Sequence, residues 1–159
     1  MPLHAQQPLA EQLHGRLGGL WAARQPRQPQ FRCAMAEFQR ATWVLLVEGA
    51  VWHPLKFAGY PDAVMRYEGE LCVCDWKTAR RPKQLAWIGD YCMQVAAYCY
   101  AVNWVYRETG IKIEKGMIAI ALEDHPAQVF MLDADDLFYH WRNFQARLKQ
   151  YYRQQLIRY

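Results

Sequence analysis

Glu68–Gly69 is the feature that most restricts this chain, because it lies midway in DAVMRYEGELCVCDWK, residues 62–77. Glycine accepts the positive φ that a two-residue hairpin turn requires, and the flanking runs have the alternating, β-branched and aromatic character of strands. With the turn centred there, Tyr67 faces Glu70, Val64 faces Val73, and Asp62 faces Asp75. A four-residue loop keeps that register, whereas a three-residue bulged loop shifts it by one. Side chains alternate along a strand, so Asp62, Val64, Val73, Asp75 and Lys77 share one face while Cys72, Cys74 and Trp76 share the other.

Carboxylates directly opposite each other repel, and in an apolar neighbourhood either the penalty grows or one carboxyl holds a proton. A hard divalent cation between them removes the conflict, since Mg2+ takes carboxylate oxygens and keeps several waters. Lys77 would then stand beside whatever the ion binds, where an ammonium steadies a phosphate oxygen or orients an attacking water. The same spacing suits a plain Lys77–Asp75 ion pair at a strand end. Spacing alone does not choose between the two.

Around the hairpin, residues 5–24 suit a helix interrupted by Gly18–Gly19, and RQPRQPQ (24–30) is a linker. A second helix is expected over 31–42, and WVLLVEGAVWH (43–53) reads as one strand with a glycine inside. His53–Pro54 and FAGYPD (57–62) mark a bend, and 80–84 is a polar loop. Residues 88–109 have a helical pattern closed by Gly110. KGMIAIALE (115–123) is a buried strand, with VFML (129–132) paired beside it. Asp133, Asp135 and Asp136 favour the start of a helix running to near Tyr159. The order ααβββαββα gives an α/β class with a sheet flanked by helices, and 159 residues make a single domain over 1–159.

The chain has no serine, which excludes every serine nucleophile, and no Gly-rich phosphate loop. Its five cysteines, Cys33, Cys72, Cys74, Cys92 and Cys99, form no C-x-x-C and read as small buried hydrophobes in a reducing compartment. No apolar run is long enough to span a membrane, and no secretory signal is visible. The cytoplasm is the expected location, or a mitochondrion or plastid for a eukaryotic source. The net charge is +4, and from Leu137 onward five Arg or Lys stand without an acidic residue. Such a run is either a solvated face or a phosphate-binding surface.

Glu48, the G-x-x-D of Gly59–Asp62, the D-x-K of Asp75–Lys77 and the Q-x-x-x-Y of Gln94–Tyr98 occur in that order. This set resembles the PD-(D/E)XK nuclease superfamily in its RecB-like branch. GELCVCDWKTARRPK followed by MQVAAY is similar to the mitochondrial genome-maintenance exonuclease family, from about residue 32 to the C-terminal helix. The resemblance implies a restriction-endonuclease-like core with a central mixed β-sheet. It also implies that Asp62 and Asp75 are catalytic metal ligands, with the Trp76 carbonyl as a third. Glu48 resembles the upstream acid that holds the metal or its water, or else is a strand-edge glutamate. Lys77 resembles the catalytic lysine. Gln94 and Tyr98, on one helical face, resemble the pair that orients the site and contacts the DNA backbone. Arg80, Arg81 and Lys83 suit phosphate contacts or a solvated loop, and His53 matches a family histidine or is structural.

The branch usually carries a metal-binding histidine on an upstream helix, for which only His4 and His14 are available. Residues 1–30 are therefore expected to form a shortened N-terminal helical region. No cysteine follows Cys99, which argues against the iron–sulfur cluster of some relatives. The implied activity is Mg2+- or Mn2+-dependent hydrolysis of DNA phosphodiesters, with single-stranded DNA as partner and an exonuclease favoured over an endonuclease. The basic C-terminal helix, with Arg142, Arg147, Lys149 and Arg153, is expected to guide the strand. The alternative is a catalytically impaired relative that binds nucleic acid.

Overall fold

The computed structural model describes residues 41–123 and 125–156. Its centre is the expected hairpin, strands β4 (Ala63–Tyr67) and β5 (Glu70–Ala79). Tyr67 pairs with Glu70, Val64 with Val73 and Ala63 with Cys74, so the register is the one set by a turn at Glu68–Gly69. Both turn residues have positive φ, 48° and 88°, as the mirror-image turn matched to strand twist demands. The Arg66 guanidinium donates to the Gly69 carbonyl at 2.6 Å across that turn.

Strand β1 (Ala41–Val47) lies antiparallel to β4, so residues 41–42, expected to close a helix over 31–42, are strand instead. The rest of that helix, the helix over 5–24, the linker, Cys33, His4 and His14 lie outside the described residues. The single strand expected over 43–53 is two. Glu48 has φ 47°, a conformation that breaks a strand, and its N–H donates to the Asp62 carbonyl at 3.1 Å. After the break, β2 (Val51–His53) forms a separate tight hairpin with β3 (Phe57–Gly59).

The continuous apolar run becomes β6 (Lys115–Leu122), parallel to β5, and β7 (Gln128–Leu132) closes the edge antiparallel to it. The five-strand order is β1-β4-β5-β6-β7, a mixed sheet. Parallel β5 and β6 need a crossover, supplied by helix α1 (Gly89–Val105). A short 3-10 turn and Gly110, at φ 73°, end that crossover, as the sequence predicts. On one sheet face Val64, Val73, Ile118 and Ile120 meet Val95, Ala96 and Val102 of α1. Each such buried aliphatic side chain contributes about 1.5–3 kcal/mol. On the other face Ala63, Met65, Cys72, Cys74, Met117 and Ala119 form a second buried cluster. Cys72, Cys74, Cys92 and Cys99 are all buried free thiols, as expected.

Helix α2 (Ala134–Leu156) starts where the aspartates stand. Asp133 Oδ1 accepts the N–H groups of Asp135 and Asp136 at 3.0 and 2.9 Å, capping the first turn. Leu137 and Trp141 of α2 are buried against α1 and the sheet. There His53 sits in an aromatic box, its ring centroid 5.3 Å from Phe57, 5.1 Å from Trp141 and 6.0 Å from Trp104. Its Nδ1 accepts the Leu55 N–H at 3.3 Å. This placement is structural: His53 ties the β2–β3 turn to both helices.

Burial lowers the His53 pKa from its usual 6.5. The unfolded chain therefore takes up the proton first, and stability is lost as pH falls through about 6.5. Burial lowers His140 in the same direction, with Asp136 opposing. Thermal melts between neutral and mildly acid pH are expected to show a falling midpoint, and His53→Phe is expected to flatten that fall without abolishing it. An unchanged slope in His53→Phe would remove His53 from the acid-sensitive set.

Candidate active site

Asp62 immediately precedes β4, and Asp75 and Lys77 project from β5 on the face that carries α1. Asp62 does not extend the backbone ladder opposite Asp75. Its Oδ2 accepts the Trp76 N–H at 2.6 Å, so the side chain takes the place of a strand acceptor and is held against β5. Asp75 is 2% exposed, the only charged residue among the described ones in the buried set. Lys77 Nζ lies 2.5 Å from Asp75 Oδ2 and 5.3 Å from the centre of the Tyr91 ring. Among the described residues the Lys77 ammonium is the partner that this buried oxygen has.

Burial raises the Asp75 pKa; the Lys77 bond and charge oppose this, and Asp62 adds to it. Burial also raises Asp62, against the Trp76 N–H and Lys77, with Glu48 pushing it further up. The two aspartates thus feel each other, and Asp62 also feels Glu48. Glu48 is exposed at the end of β1, its backbone bonded to Asp62. Among the described residues no group of three or more His, Cys, Asp or Glu is poised to hold a metal, so Glu48 does not complete a three-acid cage. A closed site of the zinc type does not fit. A hard cation that keeps several waters and takes one or two carboxylates does, and the charge of Asp62 acting on the buried Asp75 suits it.

Gln94 and Tyr98 come together on α1, the Gln94 amide donating to Tyr98 Oη at 3.0 Å. The glycine of the G-x-x-D motif has a physical reason: a Cβ on Gly59 would lie 2.5 Å from Tyr98 Cε1. The bare backbone of β3 lets the Tyr98 ring rest against it three residues before Asp62. Gly59→Ala is expected to cost about 1–3 kcal/mol through overpacking, and Gly59→Ala with Tyr98→Ala to recover part of it. A single variant that melts with wild type would sink this account.

Tyr91 escaped the sequence reading. It precedes Gln94 by three positions and Tyr98 by seven, so helical periodicity marks it as sharing their face. Arg80 and Arg81 are exposed after β5. The Lys83 backbone is clamped by the Gln128 amide, which accepts its N–H at 2.6 Å and donates to its carbonyl at 3.0 Å. That clamp fixes a loop whose sequence reads only as polar, and a partner 45 residues away leaves no local signal.

A mixed sheet carrying two acidic residues and a lysine beside a crossover helix defines a class. The chain matches the PD-(D/E)XK nuclease superfamily over residues 3–158 and belongs to it. Three curated proteins, each called "Mitochondrial genome maintenance exonuclease 1", are similar to it. The mouse protein (Mus musculus) is 37% identical over 111 residues, covering 68% of this chain and 32% of that protein. The human protein (Homo sapiens) is 35% identical over the same shares. The Xenopus tropicalis protein is 34% identical over 108 residues, 66% of this chain and 31% of its own length. The alignments thus span about a third of these relatives. Members of the superfamily generally use divalent metal ions.

Proposed function

We propose that this chain is a metal-dependent deoxyribonuclease domain that hydrolyses phosphodiester bonds of single-stranded DNA from an end. The observation that carries the reading is the buried Asp75, with Lys77 at 2.5 Å and Asp62 pinned alongside by the Trp76 N–H. Asp62, Asp75 and the Trp76 carbonyl would hold Mg2+ or Mn2+, with Glu48 orienting its water. The ion supplies Lewis-acid polarisation and a bound water of lowered pKa. Lys77, one residue beyond Trp76 on the Asp75 face, places an ammonium where negative charge develops on the phosphate. Gln94 and Tyr98 fix the α1 side of the site, and Arg80 and Lys83 flank the entry of the strand. Single-strand preference is supported by Tyr60 and Trp87, 66% and 64% exposed, which offer stacking faces in the segments leading into Asp62 and α1. The names of the similar proteins favour an exonuclease.

The test is a gel assay of end-labelled single- and double-stranded DNA with Mg2+, Mn2+ or EDTA. Metal-dependent shortening, faster on single strands and progressive from one labelled end, is the expected result. Intact DNA in every lane alongside retained binding would replace the enzyme with a nucleic-acid-binding relative.

A further inference from the structure

A concave site lies between the β2–β3 turn and helix α2, with a volume of about 480 Å3, within the range of small-molecule pockets. Leu55, Arg142, Gln145, Ala146, Leu148, Lys149 and Tyr152 line it. The helical members recur at spacings of three, four and seven, so they occupy one face of α2. The lining holds two cations and no carboxylate. Among the described residues neither Arg142 nor Lys149 is in an ion pair. Arg147, on the same helix, is paired with Asp90 of α1 at 2.8 Å. The basic residues of α2 are therefore not one uniform stripe: Arg147 is paired with Asp90 of α1, and Arg142 and Lys149 face the pocket.

The pocket wall is also built rather than incidental. Tyr152 Oη donates to the Lys56 carbonyl, joining α2 to the turn. Lys56 holds a left-handed φ of 64°, unusual for a residue with a side chain, and its N–H bonds the His53 carbonyl at 2.9 Å. That turn presents Leu55, 40% exposed, to the helix. An apolar floor of Leu55 and Leu148, an amide, a phenol and two unpaired cations match one ligand chemistry, a planar base joined to a phosphate.

Leu55 is seven residues from Asp62, so the two lie at most about 24 Å apart. Even at the 3.4 Å duplex rise per nucleotide this is no more than about seven nucleotides, and fewer for an extended single strand. A single strand with its scissile phosphate at Asp62 can thus reach the pocket with a nucleotide several positions away. We infer that the pocket between the β2–β3 turn and α2 is a remote nucleotide subsite that grips a single strand away from the cut. Arg142 and Lys149 hold its phosphates, and Leu55 and Tyr152 hold the base. This rests on the nuclease reading and adds to it a reason for dependence on strand length.

The test is fluorescence anisotropy of labelled thymidylate oligomers, short and long, titrated with salt in EDTA so that nothing is cut. Free thymidine monophosphate serves as a competitor. For the long oligomer, Arg142→Gln with Lys149→Gln is expected to shrink the slope of log affinity against log salt by about 1.4. That is two phosphates at about 0.7 each for single strands. Arg147→Gln removes one positive charge from the same helix outside the pocket and is expected to leave the slope unchanged. Ala146→Trp, which fills the pocket with no change of charge, is expected to weaken the long oligomer but not the shortest one. Equal slopes for wild type and the double variant overturn the inference, as does an Ala146→Trp variant that binds long oligomers normally. Thymidine monophosphate binding that the double variant loses, without any change in the oligomer slope, would assign the pocket to a free nucleotide and overturn the strand-gripping role. Wild type that binds no oligomer in EDTA and cuts none in the parallel gel assay with Mg2+ or Mn2+ overturns the nuclease reading, whereas wild type that cuts normally in that assay, with a double variant unaltered in its salt slope, overturns only the subsite.

Discussion

Lys77→Ala is expected to lower the rate of DNA cleavage by about a hundred- to a thousandfold, the usual effect of removing one group that stabilises transition-state charge. Binding of DNA is expected to change little, because a contact made mainly in the transition state affects the rate and not the ground-state affinity. The measurement is single-turnover cleavage of end-labelled DNA in Mg2+, with anisotropy in EDTA for binding. A variant as fast as wild type would remove Lys77 from the mechanism.

Stability separates this role from a purely structural ion pair. The Lys77 side chain is 23% exposed while that of Asp75 is 3% exposed. If the pair existed only to hold β5 in place, removing the lysine would leave an uncompensated buried carboxylate and a loss of about 3–5 kcal/mol. Lys77, however, opposes the rise that burial imposes on the Asp75 pKa, so its removal shifts Asp75 toward proton uptake, which offsets part of that loss. The expected cost is therefore smaller, about 1–2 kcal/mol, and is recovered when metal is added. A large loss of melting temperature that metal does not restore would return the pair to a structural role.

The register of the hairpin was legible because it is local. One turn dipeptide and the alternation on either side place Val64 against Val73 and Asp62 near Asp75. The buried strand β6, the glycine stop at Gly110 and the aspartate cap of α2 were legible for the same reason. The break at Glu48 was not. Its left-handed φ is held by a bond to the Asp62 carbonyl, 14 residues away in sequence, and glutamate carries no propensity that announces it. The role of Gly59 was invisible too, since it depends on the Tyr98 ring arriving from another element. The basic helix misled in one respect. Charge counting treats Arg142, Arg147 and Lys149 alike, whereas the pairing of Arg147 with Asp90 is set by how α2 lies on α1.

Asp75→Asn is expected to reverse the ranking of two melting curves. In the metal-free protein, burial is the main cause of the raised Asp75 pKa, with Asp62 adding and Lys77 opposing. A carboxyl with a raised folded-state pKa binds its proton more tightly folded than unfolded. Its contribution to stability therefore falls as pH rises from about 3.8 through the folded value, and the whole cost is present above it. Asparagine keeps the shape without the charge, so at neutral pH the metal-free variant is expected to melt higher by about 1 kcal/mol. That is about 2–4 °C for a domain of this size. On acidification the variant lacks the stability that Asp75 regains as it takes up its proton, so its advantage over wild type is expected to shrink as pH falls. Metal changes the sign. An ion at a hundred times its dissociation constant stabilises wild type by about 2.7 kcal/mol, while the variant, short of one carboxylate, gains little. Titrating Mg2+ or Mn2+ into both should make the curves cross, with wild type lower without metal and higher with it. An Asp75→Asn variant that melts lower than wild type without metal, in a protein whose melting temperature ignores both ions, would mean that Asp75 exists for Lys77 alone. The buried Asp75 and the half-buried Asp62 would then have no ion to explain them.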